Sequence, residues 1–92
     1  MYLRSTRGHF DPAKSGEATA LLPDIVAAIQ RLPGCQGVQA GVDPATGGTL
    51  SVSSFDTQEH AHFSRESLGD AFTRLQALGW QGEAPEFYET VA

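Results

Sequence analysis

Over Met1–Phe10 the side chains alternate with a period of two: Tyr2, Arg4 and Thr6 fall on one face, and Leu3, Ser5 and Arg7 on the other. That alternation predicts a first strand. Asp11-Pro12 stops it, because Asp is a favoured N-cap and Pro fits the first helical position. The period then lengthens. Leu22, Ile25, Val26, Ile29 and Leu32 share one helical face and predict a main helix over Glu17–Leu32. Pro23 lacks a backbone donor, so a kink or a helix start is expected close to it. Pro33-Gly34 ends the helix. Val38, Ala40 and Val42 share a face of a second strand, Gln36–Val42, and Leu50 and Val52 share a face of a third, Thr49–Phe55. The segment between them, Asp43-Pro44-Ala45-Thr46-Gly47-Gly48, is turn chemistry, so the pair reads as an antiparallel hairpin.

Asp56, with Glu59 three residues on, matches a capping box and opens a short helix carrying His60, His62 and Phe63. Ser67 and Asp70 look like a second cap. Leu68, Ala71, Phe72, Leu75 and Leu78 follow as an apolar stripe ended by Gly79. Glu83–Val91 reads as the last strand, entered through Pro85 and containing Phe87, Tyr88 and Val91. The order β-α-β-β-α-β is the ferredoxin-like α+β arrangement. It implies one domain over residues 1–92, with an antiparallel four-stranded sheet and both helices on one face. The other face is left bare. In a chain of 92 residues, whose own core is small, the expected cover is a second copy, making a homodimer.

Composition narrows the function classes. Hydrophobic residues make up 40% and charged residues 18%, a globular balance. The net charge is −5 with only six Lys and Arg, too few and too scattered to neutralise phosphates, so no nucleic-acid partner is expected. No apolar run approaches a membrane span, and the first ten residues lack the apolar centre of a signal peptide. The lone Cys35 cannot form an internal disulfide, which points to a reducing cytoplasm. No C-x-x-C, H-E-x-x-H, G-x-G-x-x-G or Walker pattern occurs, so neither a metal nor a nucleotide or other cofactor is expected.

Candidate chemistry rests on few residues. His60 and His62 lie two apart on a short helix and point about 200° from one another, so one of them at most faces a given pocket. His62, beside Phe63 and the apolar side, is the preferred general base. Arg4, if turned inward, suits a carboxylate or an enolate-like oxygen, although a rim or interface salt bridge is the commoner use of such a residue. Phe55, Phe63 and Tyr88, with His60, are the candidate walls of a small aromatic-ligand pocket between sheet and helices. Cys35 follows a helix C-terminus, the wrong dipole end for a reactive thiolate, and reads as a small apolar residue. Arg65-Glu66 reads as a solvated turn.

Three stretches carry a family resemblance. The helix stop Leu32-Pro33-Gly34-Cys35, the strand Val38–Val42, and Ser54-Phe55-Asp56 running into Glu59-His60-Ala61 resemble the antibiotic biosynthesis monooxygenase-like group of the dimeric α+β barrel superfamily. The order of elements extends the likeness over nearly the whole chain. It implies a homodimer of facing sheets and a pocket for a small aromatic or apolar molecule. It also implies, as an alternative, a cofactor-independent oxygenase or isomerase acting on an aromatic or quinol substrate; for such an activity the reading of the residues above offers His62 as base and Arg4 as oxyanion partner. Oxygenase and haem-degrading members commonly use an Asn on the first strand and a Trp at the end of the third. This chain has no Asn, carries Phe55 at that strand end, and places its only Trp at Trp80. Those catalytic roles therefore have no residues to attach to.

Overall fold

The computed structural model describes residues Met1–Ala92. Strand β1 (Tyr2–His9) leads through a 3-10 turn, Pro12–Lys14, into helix α1 (Ser15–Gln30). Asp11 accepts a hydrogen bond from the Ala13 amide at 3.0 Å, so the expected cap forms, but it caps the 3-10 turn. Helix α1 begins two residues before the expected Glu17 and runs through Pro23. Proline costs the helix a bond to the carbonyl four residues back. That carbonyl belongs to Thr19, an exposed residue beside solvent, and Pro23 is itself exposed.

The hairpin forms as expected from β2 (Cys35–Asp43) and β3 (Gly48–Phe55). Its turn is closed by the Gly47 amide donating to the Asp43 carbonyl at 2.8 Å. A bulge between Cys35 and Gly37 interrupts the register at the far end. Next come the single-turn helix α2 (Gln58–Ala61), a 3-10 turn over Arg65–Leu68, and helix α3 (Asp70–Ala77). The expected last strand is split into β4 (Gln81–Gly82) and β5 (Glu86–Glu89), both antiparallel to β1. The sheet therefore has five strands in the order β2-β3-β1-β4, with β5 continuing along β1. Pro85, which cannot donate to a ladder, lies in the gap between the last two.

Register fixes which side chains share a face. Tyr2, Arg4 and Thr6 pair with Phe55, Ser53 and Ser51. These side chains turn towards the helices, together with Val38 and Ala40 of β2. Leu3, Ser5 and Arg7, opposite Ser54, Val52 and Leu50, turn to the bare face. The core lies between sheet and helices. It comprises Leu21, Ile25, Ala28 and Ile29 of α1 with Phe55, Ala61, Ala71 and Leu75. Leu22 and Val26, expected in the stripe, are only half-buried, so α1 presents a face rotated towards Ala18 and Leu21. Each large apolar side chain taken from water contributes about 1.5–3 kcal/mol. Only 14 of the 92 residues are buried, so the chain by itself has few such contributions.

Candidate ligand pocket

A cavity of about 60 Å³ opens between the sheet and the helices. Strand β1 supplies Arg4 and Thr6 to its floor, α1 supplies Leu22 and Ile25, and the chain beyond α2 supplies Phe63, Arg65, Phe72 and Trp80. Twelve of the 17 lining residues are hydrophobic. The remaining five are Arg4, Arg65 and three hydroxyl residues, Thr6, Thr49 and Ser51, so the lining holds cations and neutral polar groups but no carboxylate and no imidazole.

Arg4 is the most unusual of them. It is 4% exposed, a rare state for an arginine without an acidic partner. Its Nη1 donates to the carbonyl oxygens of Ala61, the last residue of α2, at 3.0 Å and of Phe63, two residues beyond, at 2.6 Å. Its guanidinium carbon lies 3.8 Å from the centre of the Phe63 ring and 5.6 Å from that of Phe87. Its Nε is buried and has no hydrogen-bond partner. Burial, with the nearby charge of Arg65, lowers its pKa to about 10. At neutral pH the side chain is still a cation.

The second cation, Arg65, was expected in a solvated turn. It is half-buried, donates to the Glu83 carbonyl, and lies 5.2 Å from the Trp80 ring. Trp80 is seated over two glycines. A Cβ on Gly8 would come within 2.5 Å of the indole and one on Gly82 within 2.2 Å, so larger residues at either place would evict the ring. The indole Nε1 donates to the Thr49 hydroxyl at 2.9 Å, anchoring the ring against the sheet. No local sequence signal marks Arg65 or Trp80 as pocket residues, because neither lies within ten residues of Arg4 or of the other.

The remaining expected site residues are distributed differently. Phe63 lines the cavity. Phe55 is wholly buried in the core and stacks at a tilt on Phe63, with ring centres 5.6 Å apart. His62 caps the end of α2, is exposed, and stacks on Phe87 at 3.6 Å. It is absent from the cavity lining, and Phe87 in turn faces Arg4. His60 is turned back to Asp56, its Nδ1 2.7 Å from the carboxylate. The cap of α2 is correspondingly Thr57, whose hydroxyl accepts from the His60 amide at 3.1 Å, and not Asp56. Tyr88 pairs with Leu3 across β1 and β5, so it lies on the bare face, half exposed, with its hydroxyl donating to Glu86. Of the four expected pocket walls, Phe55, His60, Phe63 and Tyr88, only Phe63 lines the cavity, and this register turns Tyr88 to the opposite face of the sheet. The groups that could hold a metal do not converge either: no three of His, Cys, Asp and Glu come together.

The elements and their order define a small α+β fold with a cavity between sheet and helices, and solved structures place that fold more closely. A candidate antibiotic biosynthesis monooxygenase from Deinococcus radiodurans matches with a TM-score of 0.77 at 19% identity, over 100% of this chain and 94% of that one. A second such candidate, from Nitrosomonas europaea, gives 0.75 at 13% over the full length of both chains. A variant of SnoaB, a cofactor-independent oxygenase from Streptomyces nogalater, gives 0.67 at 15% over 97% and 91%. The chain thus shares the ferredoxin-like fold of antibiotic biosynthesis monooxygenase-like proteins. No family model and no curated protein matches it.

Proposed function

We propose that the chain is a cytoplasmic homodimer that binds a small aromatic or apolar molecule between sheet and helices. The observation that carries this reading is the cavity itself: an apolar lining with a few placed polar groups, the usual make-up of a ligand site. The lone half-buried thiol of Cys35 supports a reducing compartment. The bare sheet face supports a dimer. A second reading, a cofactor-independent oxygenase or isomerase of an aromatic or quinol substrate, draws support from the fold shared with SnoaB and from Arg4 as an oxyanion partner. In that reading His62 is the base, and its ring must leave Phe87 to reach the cavity.

Binding is tested by nuclear magnetic resonance with a neutral aromatic fragment such as benzyl alcohol. Shift changes centred on Phe10, Ala18, Phe63 and Trp80 are expected. Changes confined to the bare face, or none at all, sink the binding reading. Oxygen uptake in the presence of a hydroquinone would move the weight to the enzyme, and an Ala18→Phe variant, which fills the cavity, should abolish either activity.

A further inference from the structure

We infer that the ligand is a carboxylate, its anionic head held by Arg4 and Arg65 and its apolar remainder lying against Leu22, Ile25 and Phe72. This deepens the binding reading above and rests on it. Three observations converge. Two guanidinium groups line one small cavity, and no acidic side chain lines it with them. Arg4 is nearly inaccessible to solvent, yet its Nε has no partner in the protein. A buried charged donor left unmatched is costly, and an anion delivered by a ligand is the group that would match it. The fold even works against this cation, since burial and the neighbouring Arg65 both lower the Arg4 pKa.

The kind of anion follows from what the lining lacks. With no histidine or carboxylate among its lining residues, the cavity has no base to ionise a phenol or an enol once it is bound. A carboxylic acid, with an ordinary pKa near 4, arrives already ionised at neutral pH. A phosphate is more strongly hydrated, and twelve apolar lining residues cannot replace its water. Size agrees as well. A volume of 60 Å³ holds on the order of four waters, enough for a carboxylate and the first carbons of its chain. Planar guanidinium groups also bind carboxylates through paired, charge-assisted hydrogen bonds, which favours this head group further.

The test compares hexanoate, its neutral isostere hexanamide, and inorganic phosphate, by calorimetry and by the fluorescence of Trp80, the only tryptophan. Hexanoate should bind at least about tenfold more tightly than hexanamide, the expected size of a hydrogen bond to a charged group. Arg65→Gln should bring the two ligands close to parity and leave hexanamide unchanged. Arg4→Met should do the same, and Arg65→Gln reads the effect independently should the Arg4 variant fail to fold. Arg31→Gln, an exposed change outside the cavity, should have no effect. Equal binding of hexanoate and hexanamide to the parent protein would overturn the carboxylate assignment and leave the binding reading standing. Failure of both to bind would overturn the carboxylate assignment, and the benzyl alcohol titration decides the binding reading separately. Phosphate binding as tightly as hexanoate, or an Arg31→Gln loss equal to that of Arg65→Gln, would overturn the assignment by showing non-selective attraction to positive charge.

Discussion

At the scale of single residues, the junction after β3 turns on Asp56 and His60. The imidazole hydrogen bond, more than any other contact, holds the Asp56 carboxyl below its usual pKa. A carboxyl whose pKa is depressed by folding contributes stability that is fully present above its unfolded value, near 4, and is lost as pH falls through the folded value. The pair is exposed, so the contribution is small. Asp56→Ala should therefore have a lower urea midpoint than the parent at pH 6, with the gap closing towards pH 3. A gap of the same size at both pH values would show that the carboxylate charge is irrelevant. Gly34 belongs to this junction. With φ of +76° and a built Cβ 2.0 Å from the Asp56 carboxylate, it has room for no side chain while the pair stays in place. That a cap stood here was legible in the sequence, because capping acts within four residues. Which of two adjacent oxygens takes the amide was not, since Thr57 and Asp56 both qualify chemically. Arg4 shows a stronger limit. Alternation assigned it correctly to the face of Tyr2 and Thr6, but a strand pattern does not say which face the helices cover. An arginine is ordinarily a reason to choose the opposite one.

At the scale of elements, the strands and helices were legible where the pattern is local, and the failures lie where a distant partner decides. The hairpin of β2 and β3 needed only alternation and turn residues. The last strand was expected to be continuous, yet it splits because β1 accepts pairing at Gly8-His9 and again at Tyr2–Ser5, with Pro85 between the two partners. The β4 end of this split creates the seat for Trp80. The contact is between glycines 74 residues apart in sequence and a ring adjacent to only one of them, so no motif announces it. It is testable on β1. Gly8→Val should push the indole out of its seat, break its bond to Thr49, and shift the tryptophan emission to longer wavelength. A cost of about 1–3 kcal/mol is expected, as for other overpacked sites. Gly41→Val is the control, since open space lies where its Cβ would go. Equal effects of the two variants would mean that valine simply disfavours these strands, and that the Trp80 seat has no special tightness.

At the scale of the whole molecule, the question is what covers the bare sheet face. Leu50, Val52 and Tyr88 are 44%, 37% and 51% exposed there, with Leu3 beside Tyr88 in the ladder. Exposed apolar residues occur on any protein, but these lie on one flat surface, the one the proposed homodimer would cover. The face also carries Arg7 on β1 and Glu86 on β5, so a symmetric partner can set unlike charges against each other at the rim. A standard interface covers about 800 Å² per partner. That would be roughly 15% of the 5351 Å² surface of this chain, an area one sheet face can supply. With so few buried residues in the isolated chain, the added burial bears directly on stability. The parent protein should run in size-exclusion chromatography with light scattering at about twice 9.8 kDa. Leu50→Asp with Val52→Asp places four like charges in the centre of a twofold interface, which costs far more than the loss of the apolar contacts alone. The double variant should be a monomer, keep its circular dichroism, and melt at a lower temperature. A parent protein that is monomeric at micromolar concentration would remove the dimer. A double variant that stays dimeric would instead move the interface to another surface, because no arrangement of facing sheets tolerates those charges at its centre.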